Sequence, residues 1–352
     1  MKIYISSSSC LSAQDTLYAH GMPDMMVNTN GRKLKAYDPD YKKFISPSAA
    51  RRMGRIIKIG VAAASVCLER ARETNPDAIV IGTAMGCVED TEEFLIRMID
   101  NNETLLTPTS FIQSTHNTVA GQIALLLGCN NYNFTYVHRG FSFESALLDG
   151  MLLLKEGEAA SVLVGGLDEL TNNHYEIYKK LGHWKERESN LHSLTEKANG
   201  VLPGEGASFF VLRTEKDEAT LAELSGLEMV YRPDLESARA RVKRLLENNS
   251  ISPSDIDALV LGINGHAEED ALLLDMVKAL FPDTPLAAFK HYCGEFPTAA
   301  GVGLYQSAYM LRNQSAPELV WQNDRRPSKI DRLLFYNGYR SAYQSLTLLS
   351  RC

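Results

Sequence analysis

The sequence predicts an α/β fold built from two similar halves. Strand-like apolar runs alternate with helix-like stretches along the chain. One strand motif also occurs twice, as Asp77–Gly82 (DAIVIG) and Asp257–Gly262 (DALVLG). Each copy follows or contains an acidic residue and leads through a glycine loop into a helix. Each half then continues through a short strand and a polar turn into an alanine- and glycine-rich helix. In the second half these are Leu286–Lys290 and Thr298–Arg312. The division is placed at 1–215 and 216–352.

In chain order, Lys2–Ile5 reads as a first strand followed by a polar turn through the serine run. Ile45–Thr74 carries a single long helix signal. Ser46 is its cap and Pro47 its first residue, and Met53, Ile56, Ile57, Val61, Ala64 and Leu68 recur at helical spacing. Arg51, Arg52 and Arg55 near its start form either a solvated face or a carrier-protein contact. The strand Asp77–Gly82, the loop Thr83–Gly86, a helix from about Glu89 and the helix Val119–Leu127 follow, with Thr115 or Asn117 as a candidate cap and Gly128 as the stop. Asn133–Gly157 reads as strand, sharp turn and helix, leading to the buried strand Ala160–Gly165. That layout is a nucleophile elbow, in which a strand end delivers a side chain to a helix N-terminus. Its turn offers His138, Arg139 and Gly140, with no thiol. Gly204-Glu205-Gly206 reads as a turn supporting the core, because it lacks the phosphate-loop pattern. Val211-Leu212 ends a further strand, Glu215–Ala219 is a surface turn, and a helix lies around Leu235–Asn248.

With 352 residues, 45% apolar and 22% charged, the chain can bury a large core and is not disordered in composition. A net charge of −7 argues against nucleic acid or an anionic membrane as the main partner. The sequence has no apolar run of membrane-spanning length and no signal-peptide pattern at its start. The six cysteines are scattered without a CxxC pair, which fits a reduced, cytoplasmic protein. No metal and no cofactor is expected.

The segments SPSAARRMGRIIKIGVAAA (46–64), IGTAMG (81–86), VAGQIA (119–124), EGEAASVLVGG (156–166), PGEGA (203–207), INGH (263–266) and FKHYCGEFPTAAG (289–301) together resemble the β-ketoacyl-acyl-carrier-protein synthases of the thiolase superfamily. The resemblance covers most of the chain. It implies a thiolase-like five-layered αβαβα fold and a dimer formed across the strand before the elbow, about Asn133–His138. It also implies a site of one cysteine, two histidines and a lysine. The cysteine is acylated at a helix N-terminus, and the histidines stabilise the enolate formed on decarboxylation.

Carried over position by position, that site is largely replaced. Counting without gaps from VAG (119–121) forward or from GG (165–166) backward puts the cysteine position at Gly140. The first histidine matches His266 in Asn264-Gly265-His266, and the lysine matches Lys290. The second histidine falls on Glu295, and the family glutamate that pairs with the lysine falls on Leu304. The family's C-terminal glycine-rich loop is replaced by Asn337–Ala342. A buried lysine needs a counter-charge, so Lys290 and Glu295 are expected to pair.

His266, Lys290 and Glu295 are therefore the candidate remnant site. His138, Arg139, Ser142 and His116 are candidate substrate contacts. Ser142 is also a conceivable substitute nucleophile, and Glu144 a candidate partner for Arg139. Cys293 is read as a small buried residue or an activated thiol. Three functions stay open. The first is a non-condensing, chain-length-factor-like homologue serving fatty acid, polyketide or aryl-polyene-type synthesis. It would bind acyl carrier protein and form a homodimer, or a heterodimer with an active synthase. The second is an acyltransferase or decarboxylase with a rebuilt site. The third is a non-catalytic carrier-protein scaffold.

Overall fold

The first strand, β1, runs over Tyr4–Leu11 and takes in the whole serine run, where a turn was expected. All eight residues are buried. Serines are tolerated there because their hydroxyls find carbonyls on a helix of small residues: Ser7 donates to Cys67 O at 2.8 Å and Ser9 to Ala63 O at 2.6 Å. This computed structural model describes residues 1–27, 32–104, 106, 108–184, 194 and 200–352.

The expected single helix over Ile45–Thr74 is two: α1, Pro47–Ala50, and α2, Arg55–Ala71. Ser46 caps α1 as expected, accepting from Ala49 N. The chain breaks at Gly54, which caps α2 and lies so close to Asp90 that a Cβ there would meet its carboxylate at 2.3 Å. Then follow β2 (Ala78–Gly82), α3 (Val88–Asp100), α4 (Pro108–Gln113), α5 (Thr118–Leu127) and β3 (Tyr132–Tyr136). Gly128 ends α5 at φ 64°, in the left-handed region. Asn117 makes no side-chain cap, and Thr115 bonds to the Thr118 hydroxyl instead. Next come α6 (Ser142–Glu156), β4 (Ser161–Asp168), α7 (Asn172–Lys180) and β5 (Gly206–Arg213). The second half holds β6 (Ala222–Tyr231), α8 (Leu235–Asn248), β7 (Ala258–Leu261), α9 (Ala267–Leu280), β8 (Leu286–Ala288), α10 (Lys290–Cys293), α11 (Ala300–Asn313), β9 (Arg332–Tyr339) and β10 (Tyr343–Ser350).

The strands lie in the order β3-β2-β4-β5-β1-β6-β10-β9-β7-β8. Read outward from the middle, β1-β5-β4-β2-β3 is repeated as β6-β10-β9-β7-β8, so β1 to β5 correspond in turn to β6 to β10. In the sheet the halves join where β1 meets β6, at Tyr4 with Glu223 and Ile5 with Ala222. The repeated motif lies on β2 and β7, and its aspartate does the same work in both. Asp77 accepts from Ala160 N and Ser161 N at the start of β4 (2.8 and 3.0 Å). Asp257 accepts from Asp331 N and Arg332 N at the start of β9 (2.7 and 2.8 Å).

Three cores separate five layers. One lies between α2, α5 and the first-half strands, and another between α8, α9 and the second-half strands. The third surrounds α6 and α11, sandwiched between the two halves of the sheet. The fold is the expected layered α/β arrangement.

Candidate functional site

The elbow lies where β3 hands over to the central helix α6. A short 3-10 turn, Arg139–Phe141, leads straight into α6, and Arg139 holds a left-handed φ of 50°. Ser142 locks this turn. It is fully buried, accepts from His138 N at 2.9 Å and donates to Arg139 O at 2.8 Å. The structure corrects the expectation of Ser142 as a substrate contact or nucleophile, because its hydroxyl is enclosed in the turn and already engaged.

Gly140 is buried beneath the last hairpin. A Cβ on it would meet Tyr339 Cδ1 at 2.6 Å, Tyr343 Cγ at 2.8 Å and Tyr343 Cβ at 2.9 Å. The two tyrosines face each other across β9 and β10. Glycine serves here for close approach, since the elbow's positive φ falls on Arg139. The hairpin departs from the expected loop over Asn337–Ala342. Asn337, Gly338 and Tyr339 are strand, and only Arg340, Ser341 and Ala342 turn, with φ of 50° and 52° at the first two. Arg340 stacks over the rings of Tyr178 and Tyr339 (4.8 and 5.5 Å), which ties this turn to α7.

Behind the hairpin lies a buried polar network. Lys290 Nζ is 2.7 Å from Glu295 Oε2, with both side chains at least 96% buried, so the expected pair is present. The ammonium also donates to Gly338 O at 2.6 Å. Asn264 donates to Glu295 at 2.8 Å and to Glu269 at 2.8 Å, and accepts from His266 N at 2.9 Å. Burial raises the Glu295 carboxyl above its ordinary range, while Lys290 and Asn264 pull it back. His266, Lys290 and Glu295 are thus joined in one network. His266 is linked through its backbone, and its Nδ1 has no partner among the described residues. Leu304, where the family glutamate would stand, is fully buried in the central core.

Glu144 lies in the first turn of α6. The candidate partner, Arg139, is exposed, and Ser345 of β10 donates to Glu144 at 2.8 Å. Burial pushes Glu144 up to about 7, against the pull of Ser345, its own backbone N–H, Asn337 and Lys290. His138 is exposed, with its ring stacked on Phe141 and edge-on to Tyr343. His116 is exposed and packs over Gly86, outside the network. Cys293 is fully buried, and burial holds its thiol well above the ordinary range, so it is not activated by Lys290.

Glu205 is fully buried and accepts from Ala36 N, Leu170 N, Lys35 and Arg55, so its turn braces the core as expected. Arg55 is spent in pairs with Glu205 and Asp38, which removes it from the expected basic cluster. Arg51 and Arg52 remain exposed beside a cleft of about 780 Å³. Tyr343 is the site residue that motif matching misses. The signal for it is the pair of tyrosines flanking Arg340-Ser341-Ala342, between two runs that can pair as strands.

Residues 19–218 match the β-ketoacyl synthase N-terminal domain, more than half of the chain. The chain belongs to the β-ketoacyl synthase family. A non-reducing polyketide synthase of Aspergillus flavus is 21% identical over 226 residues, covering 55% of this chain but only 11% of that protein. The chain therefore spans a small part of that relative's length. Solved structures share the fold over the whole chain, among them the following three. The ishigamide ketosynthase/chain length factor has a TM-score of 0.81 at 15% identity, covering 100% of this chain and 99% of its own. AntDE with AntF, a type II polyketide synthase acyl-carrier protein in complex with its ketosynthase bound to the hexaketide, has a TM-score of 0.77 at 15% identity, covering 100% and 99%. The ketosynthase ApeO in complex with its chain length factor ApeC, from Xenorhabdus doucetiae, has a TM-score of 0.76 at 15% identity, covering 100% and 98%. At these identities the likeness is one of fold. Among the described residues, no helix is long and apolar enough to cross a membrane.

Proposed function

We propose that this β-ketoacyl synthase homologue does not condense acyl chains by itself, and that it acts as the chain-length-factor-like partner of an active ketosynthase in polyketide-type synthesis. The observation that carries this reading is the elbow. Residue 140 has no side chain to take an acyl group, and Tyr339 and Tyr343 fill the space beside it. The site lysine is neutralised by Glu295 instead of facing a histidine. The fold shared with ketosynthase/chain length factor structures supports the same reading.

The partner would dock on the open edge of the sheet. β3 ends the strand order and leaves Tyr132, Phe134 and Val137 exposed, beside Leu125 and Leu126 of α5. An unpaired edge strand with an apolar surround is a ready interface. Acyl carrier protein enters this reading as the donor that the partner synthase engages.

The test has two arms. The purified chain is incubated with acyl- and malonyl-carrier protein and read by mass spectrometry. No acyl adduct and no carbon dioxide release are expected, and either one would count against the reading. The chain is also co-expressed with an intact ketosynthase from the same gene neighbourhood. A heterodimer is expected, lost on Phe134→Glu; a stable homodimer that ignores the synthase would overturn the partner assignment.

A further inference from the structure

The hairpin over the elbow is fastened by ionisable groups shielded from water. Glu144 takes the Ser345 hydroxyl from β10 at 2.8 Å and a hydrogen bond from Asn337 of β9. Lys290 takes the Gly338 carbonyl of β9 at 2.6 Å. Both strands of the hairpin are therefore tied through side chains to the start of α6, and β9 also to α10.

The donors in this network do not match its acceptors. Glu144 Oε2, Glu295 Oε1 and Asn337 Oδ1 are all buried and have no protein donor among the described residues. The one ammonium, Lys290, is ion-paired to Glu295 and also acts on the Glu144 and Asp270 carboxyls. Leaving such oxygens unpaired in the interior is costly, and so is a second uncompensated charge. A single added proton removes one charge and supplies one donor. Glu295 already has Lys290 at 2.7 Å and Asn264 at 2.8 Å, which favour its ionised form. Glu144 has only neutral donors, Ser345, Asn337 and its own backbone N–H, and no cation in hydrogen-bond contact, so it is the better seat for the proton.

We propose that the buried network carries one exchangeable proton on Glu144, and that this proton latches the β9–β10 hairpin shut over residue 140. The inference rests on the network alone and stands whether or not the chain pairs with a synthase.

The charged group facing Glu144 most directly is Lys290. Of the other ionisable groups around the hairpin, His138 and Arg139 are exposed, His266 Nδ1 has no partner among the described residues, Asp270 accepts from the backbone of Asn264 and Gly265, and Glu269 accepts from the Asn264 amide. Asp168 at the end of β4 accepts from Thr83, Thr298 and the backbone of Ala84 and Met85. Burial keeps the Tyr339 phenol of β9 protonated. Strand β2 is uncharged, and the single charge of α11, Arg312, is spent on the carbonyls of Glu218 and Thr220.

The direction of the pH effect follows from burial. The closed hairpin holds Glu144 at about 7, above the ordinary value of 4.5, so the closed state binds the proton more tightly than the open one. The latch is at full strength below about pH 4.5, weakens as the pH rises from there towards 7, and is gone above about 7.

Hydrogen–deuterium exchange of peptides spanning the hairpin, corrected for intrinsic rates, tests this. Protection should fall roughly 30-fold between about pH 5.5 and about pH 8. Glu144→Gln is neutral at every pH and keeps an acceptor for Ser345, so its protection should be flat. A flat profile in the unaltered chain, or an unchanged slope in Glu144→Gln, overturns the proposal. Ser345→Ala provides a second reading should Glu144→Gln fold poorly. Removing a donor to the carboxylate should move the loss of protection to higher pH; a midpoint that stays or falls overturns the proposal equally.

Discussion

The two halves share one strand plan, and each sends a strand end across to the start of the other half's central helix. Strand β4 ends at Asp168, which takes the Thr298 hydroxyl just before α11 at 2.9 Å. Strand β9, its counterpart, ends at Tyr339, which covers Gly140 just before α6. The first crossing is a carboxylate–hydroxyl bond and the second is aromatic packing. The connections differ as well. The chain from β4 to β5 runs through residues 169–205, whereas β9 reaches β10 through Arg340–Ala342 alone. The tight turn keeps Tyr339 opposite Tyr343 and brings both rings onto the elbow. One architecture thus supports a buried polar corner in one half and a filled aromatic one in the other, and the filled one lies where the family's chemistry would occur.

The largest effect should come from separating Lys290 and Glu295. Lys290→Met leaves a buried carboxylate without its cation and frees the Gly338 carbonyl, which anchors only the second half's hairpin. Breaking a buried pair from one side costs about 3–5 kcal/mol. Urea unfolding should show that loss for Lys290→Met, with much of it recovered in Lys290→Met/Glu295→Leu. A double variant no more stable than the single would mean that the pair is not what holds the network.

Next in size is refilling the elbow. Gly140→Cys places a Cβ against Tyr343 Cβ and Cγ, atoms too near the backbone to swing aside. Overpacking of this kind costs about 1–3 kcal/mol. The thiol should stay unacylated by acyl-carrier protein, because it would lie under two rings. Adding Tyr339→Ala should restore part of the stability. Full stability in Gly140→Cys, or acylation of its thiol, would show that the hairpin moves aside easily and would narrow the difference between the two corners.

The sequence made some of this plain and hid the rest for physical reasons. β2 and β7 are short apolar runs closed by a glycine, and the elbow is a strand and a helix meeting at a sharp turn; these were readable directly. The repeat was visible because Asp77 and Asp257 each bond the next strand's first amides. β1 was hidden because a serine run has low strand propensity; only its pairing with α2 carbonyls makes it a buried strand. β6 was hidden by Gly226 and by alternating polar residues, and that glycine is needed where Leu245 approaches. In the site, Gly140, Lys290 and Glu295 could be placed by counting. The role of Ser142 could not, since a hydroxyl that closes a turn and one that faces substrate look alike in a sequence.

The smallest expected difference is the one that tests whether the halves are energetically alike. Asp77→Asn and Asp257→Asn each remove the charge from a pair of bonds to strand-opening amides. Asp77 is exposed and Asp257 half-buried, so each substitution should cost about 0.5–2 kcal/mol, in the range of a lost cap. The two costs should agree within about 0.5 kcal/mol and should add in the double variant, because the sites are far apart and share no partner. Thermal unfolding of the two single variants and the double measures this directly. A clear excess for Asp257→Asn would locate the weaker half at β9, the strand that also carries the aromatic cover, and would link the start of that strand to the closure at its end.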